Sequence, residues 1–381
     1  MTPFLPPVFA NRQPDKTEWV WRYTSNGHPL AFLDRVLDPP SYGYVRDQKL
    51  YVPSTRELFH EFFTRINLFQ SRKNWLPLFG WVVVLFFAPF FFLFFLHYFT
   101  WKLFLIGFIY SMVVLGTHGT VYLHRYSTHH AFTFTNRIWL FIVSNLVIKI
   151  VPEEVYVVSH HVHHYISEKP GDPYNVYGGF LYCFLADVNH QAIARDFSRE
   201  DYAKTAKLIE HTVVPLNSYE QYQKWGSISH PLPTLLQFTL NWAFWFGAFY
   251  LMGGMPLAVA IFGMSAVWAV GIRTFNFDGH GRGKDQRKDG IDFNRADLSI
   301  NQPWPGMITG EWHNNHHLYP NGIRAGFLTY QWDYAWLFIC GCRFLGGIAH
   351  CRDYKDQFME KHYKPYLAQK KGLPAGDPAV S

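Results

Sequence analysis

The sequence predicts an all-α integral membrane protein, with four transmembrane helices arranged as two hairpins beneath a cytoplasmic helical cap. Three observations carry this. Apolar residues make up 49 % of the 381 residues and aromatics 19 %, while only 16 % are charged, against about 25 % in ordinary soluble domains. A mean hydropathy near zero leaves room for a large water-exposed part. The apolar residues are also bunched, in four stretches that fall into two close pairs.

The first pair covers residues 75–98 and 103–123, separated only by a short turn around "FTWK". The second covers 234–252 and 257–275, joined by "GGMP". Each stretch approaches or exceeds the roughly 20 helical residues that cross a hydrocarbon core. Pro89 and Gly107 inside spans are tolerable because neighbouring helices can re-satisfy the freed backbone groups. Both short turns then lie on one side of the membrane. Residues 1–74, 124–233 and 276–381 lie on the other, with nearly all the Lys and Arg, and the positive-inside rule places them in the cytoplasm. The expected units are thus an N-terminal segment (1–74), a first hairpin (75–123), a cap segment (124–233), a second hairpin (234–275) and a second cap segment with a flexible tail (276–381). Residues 137–150, "RIWLFIVSNLVIKI", are apolar but short for a span and read as a helix lying at the interface.

Other signals are weaker. The net charge of +6 does not imply a nucleic-acid partner, and four cysteines show no disulfide-framework spacing. "CGC" at 340–342 lacks the CxxC step of a zinc site. The N-terminus lacks the basic and apolar regions of a cleaved signal peptide.

Of 20 histidines, most of the densest groups stand just past a cytoplasmic membrane boundary. They are "HRYSTHH" with His124 and His129, "SHHVHHY" with His160, His163 and His164, and "HNNHH" with His313, His316 and His317. On a helix, positions i, i+3 and i+4 share a face, so the last two groups each aim three imidazoles one way. The five-residue step from His124 to His129 does not share a face on a continuous α-helix, and it works where the helix frays out of the membrane. Imidazole suits Fe, Zn, Cu or Ni, and eight or nine such groups exceed the needs of one ion, so two metals are the economical reading. His118, His130 and His161 break the repeated spacing and are read as surface or supporting groups.

On these boxes the chain resembles the membrane fatty-acyl desaturases, of the acyl-CoA (stearoyl-CoA type) branch and its bacterial relatives. That family carries HxxxxH, HxxHH and HxxHH, and four spans in two hairpins. The resemblance implies two non-haem irons bound by His124, His129, His160, His163, His164, His280, His313, His316 and His317. Asn276, four residues before His280, would reach one iron through water. It further implies O2 as co-substrate and a fatty-acyl chain on CoA, carrier protein, lipid or as free acid. Electrons would come from a separate carrier, such as ferredoxin or cytochrome b5 with its reductase, since no fused haem motif is present. The chain departs from the family pattern at Tyr174, where "DPYN" replaces Asp-Pro-His-Asn, and at Glu311, which sits close to His313 in "TGEWHNNHH".

The expected chemistry is removal of two hydrogens from an unactivated acyl chain at a diiron centre. Decarboxylation to a terminal 1-alkene and hydroxylation remain open on the same ligands, and a histidine-rich metal transporter is the alternative from another class. Asp172 and Glu311 are candidates to hold imidazole N–H groups, or equally to serve as caps or surface acids. Arg282, Lys284, Arg287 and Lys288 are candidates to meet a head group or an acidic electron carrier, against the plainer reading of a cytoplasmic loop. The expected location is the bilayer, as a multi-pass protein, with a bacterial inner membrane favoured.

Overall fold

The computed structural model describes residues 31–47, 49–189, 193–302 and 312–372. Helix α1 (Thr55–Arg65), the first α-helix among the described residues, starts on a reciprocal cap. Glu57 N–H donates to Ser54 Oγ at 3.3 Å, and Ser54 N–H donates to Glu57 Oε2 at 2.8 Å. Among the described residues, three helical runs are long and apolar enough to cross a membrane: α2 (Arg72–Tyr98), α3 (Trp101–Thr128) and the run Pro231–Gly279. The main helix of that last run is α6 (Pro231–Gly271). Between them lie α4 (Arg137–Ser144) and α5 (Glu153–Ile166), and after them α7 (His313–Leu318) and α8 (Tyr334–Phe344).

Where four separate spans were expected, α6 is one run that breaks its helical conformation at Gly253 (φ −156°) and Gly254 (φ +70°). Gly254 takes the left-handed φ that costs a side chain least when it has none. The two arms fold back on each other there. The rings of Phe246 and Phe262 are 5.3 Å apart, whereas a continuous helix would hold those positions about 24 Å apart along its axis. The arms pack on α2 through Phe90, whose ring lies 5.9 Å from Phe246 and 5.4 Å from Phe262. Phe86 stacks on Trp242 at 4.1 Å. Phe94, Leu103, Val259 and Ala260 share one cluster beside both the α2–α3 turn and the α6 break.

At the opposite end α3 widens. Its last segment, Gly119–Thr128, is π-helical, and His129 N–H donates to the carbonyl of His124 at 3.1 Å. The wider turn, not a frayed end, is what accommodates the five-residue histidine step. Helix α4 shows Ile138, Phe141 and Ile142 to the outside, as a helix seated at an interface would. Helix α5 begins with Glu153 and Glu154 in its first turn, where the helix dipole favours acids. Glu154 accepts from Ile228 N–H at 2.9 Å and Ser229 N–H at 2.7 Å, which fixes α5 to the loop that starts α6. A short antiparallel pair, β1 (Phe132–Phe134) with β2 (Ile348–Cys351), closes the segment after α3 against the end of α8.

Candidate metal centre

All nine histidines singled out in the sequence gather in one place, in two groups. His124, His129, His160, His164 and His316 form the first, and His163, His280, His313 and His317 the second. Within each group one nitrogen per ring lies within 4.8 Å of all the others. The widened end of α3 supplies two rings and α5 three. The turn after helix Phe275–Gly279 supplies His280, and α7 supplies the last three.

The nitrogen positions disclose what the groups are built to hold. In the second group, His163 Nδ1 donates to Asp172 at 2.9 Å, His280 Nδ1 to Glu168 at 2.8 Å and His317 Nδ1 to Asp297 at 2.8 Å. A neutral imidazole carries one proton, so in the neutral form that binds metal each of these rings presents a bare lone pair at Nε2. Yet His163 Nε2 and His280 Nε2 face each other at 3.2 Å. Two lone pairs so placed repel unless a cation lies between them.

The first group closes a ring of Nε2 atoms. His124 to His160 is 2.8 Å, His160 to His164 3.1 Å, His164 to His316 3.0 Å and His316 to His124 3.0 Å. Each Nε2 offers one proton or one lone pair yet faces two neighbours at this distance, so ordinary hydrogen bonds do not account for all four contacts. Bonds of about 2.0–2.1 Å to a first-row ion would set neighbouring nitrogens about 3 Å apart at right angles. Among buried atoms without a partner in the described residues are His129 Nε2, His317 Nε2 and Asn276 Oδ1. The donor set therefore fits two first-row metal ions.

Electrostatics point the same way. Burial holds His129, His160, His164, His313 and His316 well below the ordinary imidazole value, in the neutral form that binds metal. Burial also pushes His317 down to about 4, against the pull of Asp297. His163 is the exception: burial pushes it down, but Asp172, with Asp297 and Glu168, together raise it above its ordinary value. The groups differ in their surroundings. Three carboxylates back the four-histidine group, which makes those imidazoles more basic ligands.

Of the supporting residues expected from sequence, Asp172 meets His163 and also accepts from the backbone N–H groups of Glu168 and Tyr174 at 2.7 and 2.9 Å. Glu311 lies outside the described residues. The basic loop stays at the surface: Lys284 and Lys288 are exposed, Arg282 pairs with Asp278 at 2.8 Å, and Arg287 pairs with Asp285 at 2.7 Å. His118, His130 and His161 belong to neither group. His118 Nε2 lies 2.7 Å from the carbonyl of Val143, and the His130 ring lies tilted against His211, centroids 3.8 Å apart. The "CGC" cysteines and Cys351 are free thiols outside both groups.

Sequence reading missed Glu168 and Asp297. Glu168 stands four residues past the second box and adopts a positive φ of 62° to reach His280. Nothing in "NRADLS" marks Asp297. It also missed the two asparagines inside "HNNHH". Asn314 donates to the carbonyls of Asn294 and Ser299, and Asn315 to that of Ala325 and to Gln331, which locks α7 in place.

Beside the metal groups lies a pocket between α2, α5 and α6. Tyr156, Tyr174 and Asn276 line its inner end, and Val84, Ile150 and Ala269 its apolar wall. Tyr156 stacks on His160 at 5.3 Å and Tyr174 meets His163 edge-on at 5.5 Å.

Comparison with known proteins gives a consistent result. A family model described as fatty acid desaturase matches residues 99–336. An acyl-CoA C20 Δ5-desaturase of Anemone leveillei is 28 % identical over 257 residues, covering 65 % of this chain and 73 % of its own length. An sn-1 stearoyl-lipid 9-desaturase of Synechocystis is 23 % identical over 325 residues, covering 81 % and 92 %. A hex-5-enoyl-(acyl-carrier protein) acetylenase of Moorena producens is 26 % identical over 261 residues, covering 63 % and 74 %.

Proposed function

Since the chain belongs to the membrane fatty acid desaturase family, a non-haem diiron type of oxidoreductase, we propose that it introduces a double bond into a fatty-acyl chain with O2 as co-substrate. Family membership sets the metal-transporter alternative aside. The observation that carries the reading is the convergence of nine imidazoles with inward lone pairs beside an apolar pocket. In this reading His124, His129, His160, His164 and His316 hold one iron. His163, His280, His313 and His317 hold the other, with Asn276 reaching it through water.

When bound, such a pair of irons supplies the oxidising power to remove hydrogen from an unactivated CH2. The chain's own residues do the rest. Asp172, Glu168 and Asp297 keep the protons of His163, His280 and His317 on Nδ1, so that Nε2 stays available. The apolar wall excludes water and holds an extended alkyl chain, while Tyr156 and Tyr174 bound its end nearest the histidines. Asn276, whose Oδ1 has no partner in the described residues, stands where pocket and metal site meet.

The proposal extends to topology, location and electron supply. The two arms of α6 with α2 and α3 make four crossings in two hairpins. The histidine end faces the cytoplasm, in a bacterial inner membrane, and residues 1–74, 124–233 and 276–381 lie on that side. A separate carrier brings electrons, with Arg282, Lys284, Arg287 and Lys288 as the basic surface for it or for a substrate head group. Among the outcomes open to this chemistry, desaturation is favoured because the relatives are named for dehydrogenation of acyl chains.

Gas chromatography–mass spectrometry of lipids and headspace from cells expressing the chain, against a His316→Ala control, tests this. A new internal double bond that disappears in the variant is expected. Volatile 1-alkenes in its place would move the assignment to decarboxylation on the same ligands.

A further inference from the structure

An ion pair is set into the apolar pocket that reaches Asn276. Arg273 donates through Nη1 to Asp187 Oδ2, and their side chains are 11 % and 13 % exposed. The guanidinium lies 4.2 Å from the centroid of the Trp81 ring, and Gly80 leaves room beside the carboxylate. A Cβ at Gly80 would stand 4.0 Å from Asp187 Oδ2. Two atoms of the pair are buried with no hydrogen-bond partner among the described residues: Arg273 Nε, a donor, and Asp187 Oδ1, an acceptor.

Apolar side chains of similar volume could fill this wall at less cost than two desolvated charges. Leaving a donor and an acceptor of the pair bare adds to that cost. We propose that Asp187 and Arg273 form a polar notch that selects acyl chains carrying a hydroxyl group. This rests on reading the pocket as an acyl-chain channel.

The chemistry narrows the substituent. The pair is neutral overall, so it offers no net charge to an ionic group, and a carboxylate would meet Asp187 as a like charge. A plain methylene chain leaves both bare atoms as they are. A hydroxyl carries both a donor and an acceptor, the complement of the bare acceptor at Asp187 Oδ1 and the bare donor at Arg273 Nε. Arg273 precedes Asn276 by one helical turn, about 5 Å along the axis. The selected hydroxyl therefore sits within a few carbons of the point of attack.

The test is binding of octadecanoic acid and of its monohydroxy isomers, with the hydroxyl walked along the chain. Each is offered as free acid and as CoA thioester to the detergent-solubilised, iron-loaded protein. Equilibrium dialysis gives affinity, and turnover is recorded in parallel with O2 and reduced ferredoxin, kept reduced by its reductase, as electron source. One hydroxyl position is expected to bind about tenfold or more tighter than the plain chain, with preference falling on either side of it. The Asp187→Leu/Arg273→Leu double variant is expected to lose that peak.

A flat profile in the wild type overturns the proposal without recourse to any variant. So does a peak that survives in the double variant, or no saturable binding of any isomer. A peak without turnover of any chain would overturn the desaturase reading and leave the notch standing. Turnover of the plain chain with a flat profile would do the reverse.

Discussion

Arg125 and Asp333, far apart in sequence, form a two-pronged ion pair buried to 1 % exposure on each side chain, with both Nη2–carboxylate distances at 3.0 Å. Arg125 directly follows His124, and it also donates to the carbonyl of Ile323 just beyond the third histidine box. Asp333 accepts from Ala325 N–H at 2.7 Å and caps α8 through Trp336 N–H at 2.8 Å. The pair therefore clamps the end of α3 to the chain that carries His313, His316 and His317.

Removing one partner leaves the other charge buried. Asp333→Ala is expected to cost about 3–5 kcal/mol of stability, read as a lowered unfolding midpoint in detergent. The Arg125→Met/Asp333→Leu double variant should recover much of that loss, because it removes both charges together.

The carboxylates behind the four-histidine group should act on metal retention more than on folding. Asp172→Asn, Glu168→Gln and Asp297→Asn each replace a charged acceptor that fixes a ring's tautomer with a neutral amide that can turn its NH2 to the ring, and each is expected to weaken metal binding by about 10–100-fold. Chelator titration followed by metal analysis would detect it as early loss of one ion of two. Parallel loss of both ions would contradict the division into two groups.

Helix contact between α2 and α6 depends on one position without a side chain. A Cβ at Gly263 would stand 2.8 Å from the carbonyl oxygen of Phe90, so small residues permit this close approach. Gly263→Val is expected to destabilise by about 1–3 kcal/mol. Gly247→Ala, where a Cβ would meet nothing within 4 Å, should leave the melting temperature nearly unchanged.

Acid should act through His211. Burial, with His130 beside it, lowers its imidazole to about 4, below the unfolded value of about 6.5. Between those values the unfolded chain binds a proton that the folded chain refuses. Its contribution to stability is therefore present above pH 6.5 and lost as pH falls towards 4. Stability-against-pH curves of the wild type and His211→Gln should diverge in that window, with the variant falling less steeply.

The repeated spacing of His160/His163/His164 and His313/His316/His317 made the metal site legible in sequence, since helical geometry turns spacing into a shared face. The apolar stretches were legible for a similar reason, because length and composition alone mark a helix that can span. What sequence did not carry was the local departure from ideal helices. The π-helical widening that brings His124 and His129 together leaves no periodic mark. Partners such as Glu168, Asp297 and Asp333 are ordinary surface-type acids until the fold buries them beside a histidine or an arginine. The Asp187–Arg273 pair was equally silent, because its meaning depends on the apolar wall around it.

Whether the nine histidines, in groups of five and four, hold two irons is tested most directly by iron quantitation on the purified, anaerobically reconstituted protein, joined to Mössbauer spectroscopy. Two irons per chain in two distinguishable environments are expected. His316→Ala is expected to disturb one environment first and His317→Ala the other. A single iron per chain, or two ions in one indistinguishable environment that both variants disturb alike, would contradict that expectation.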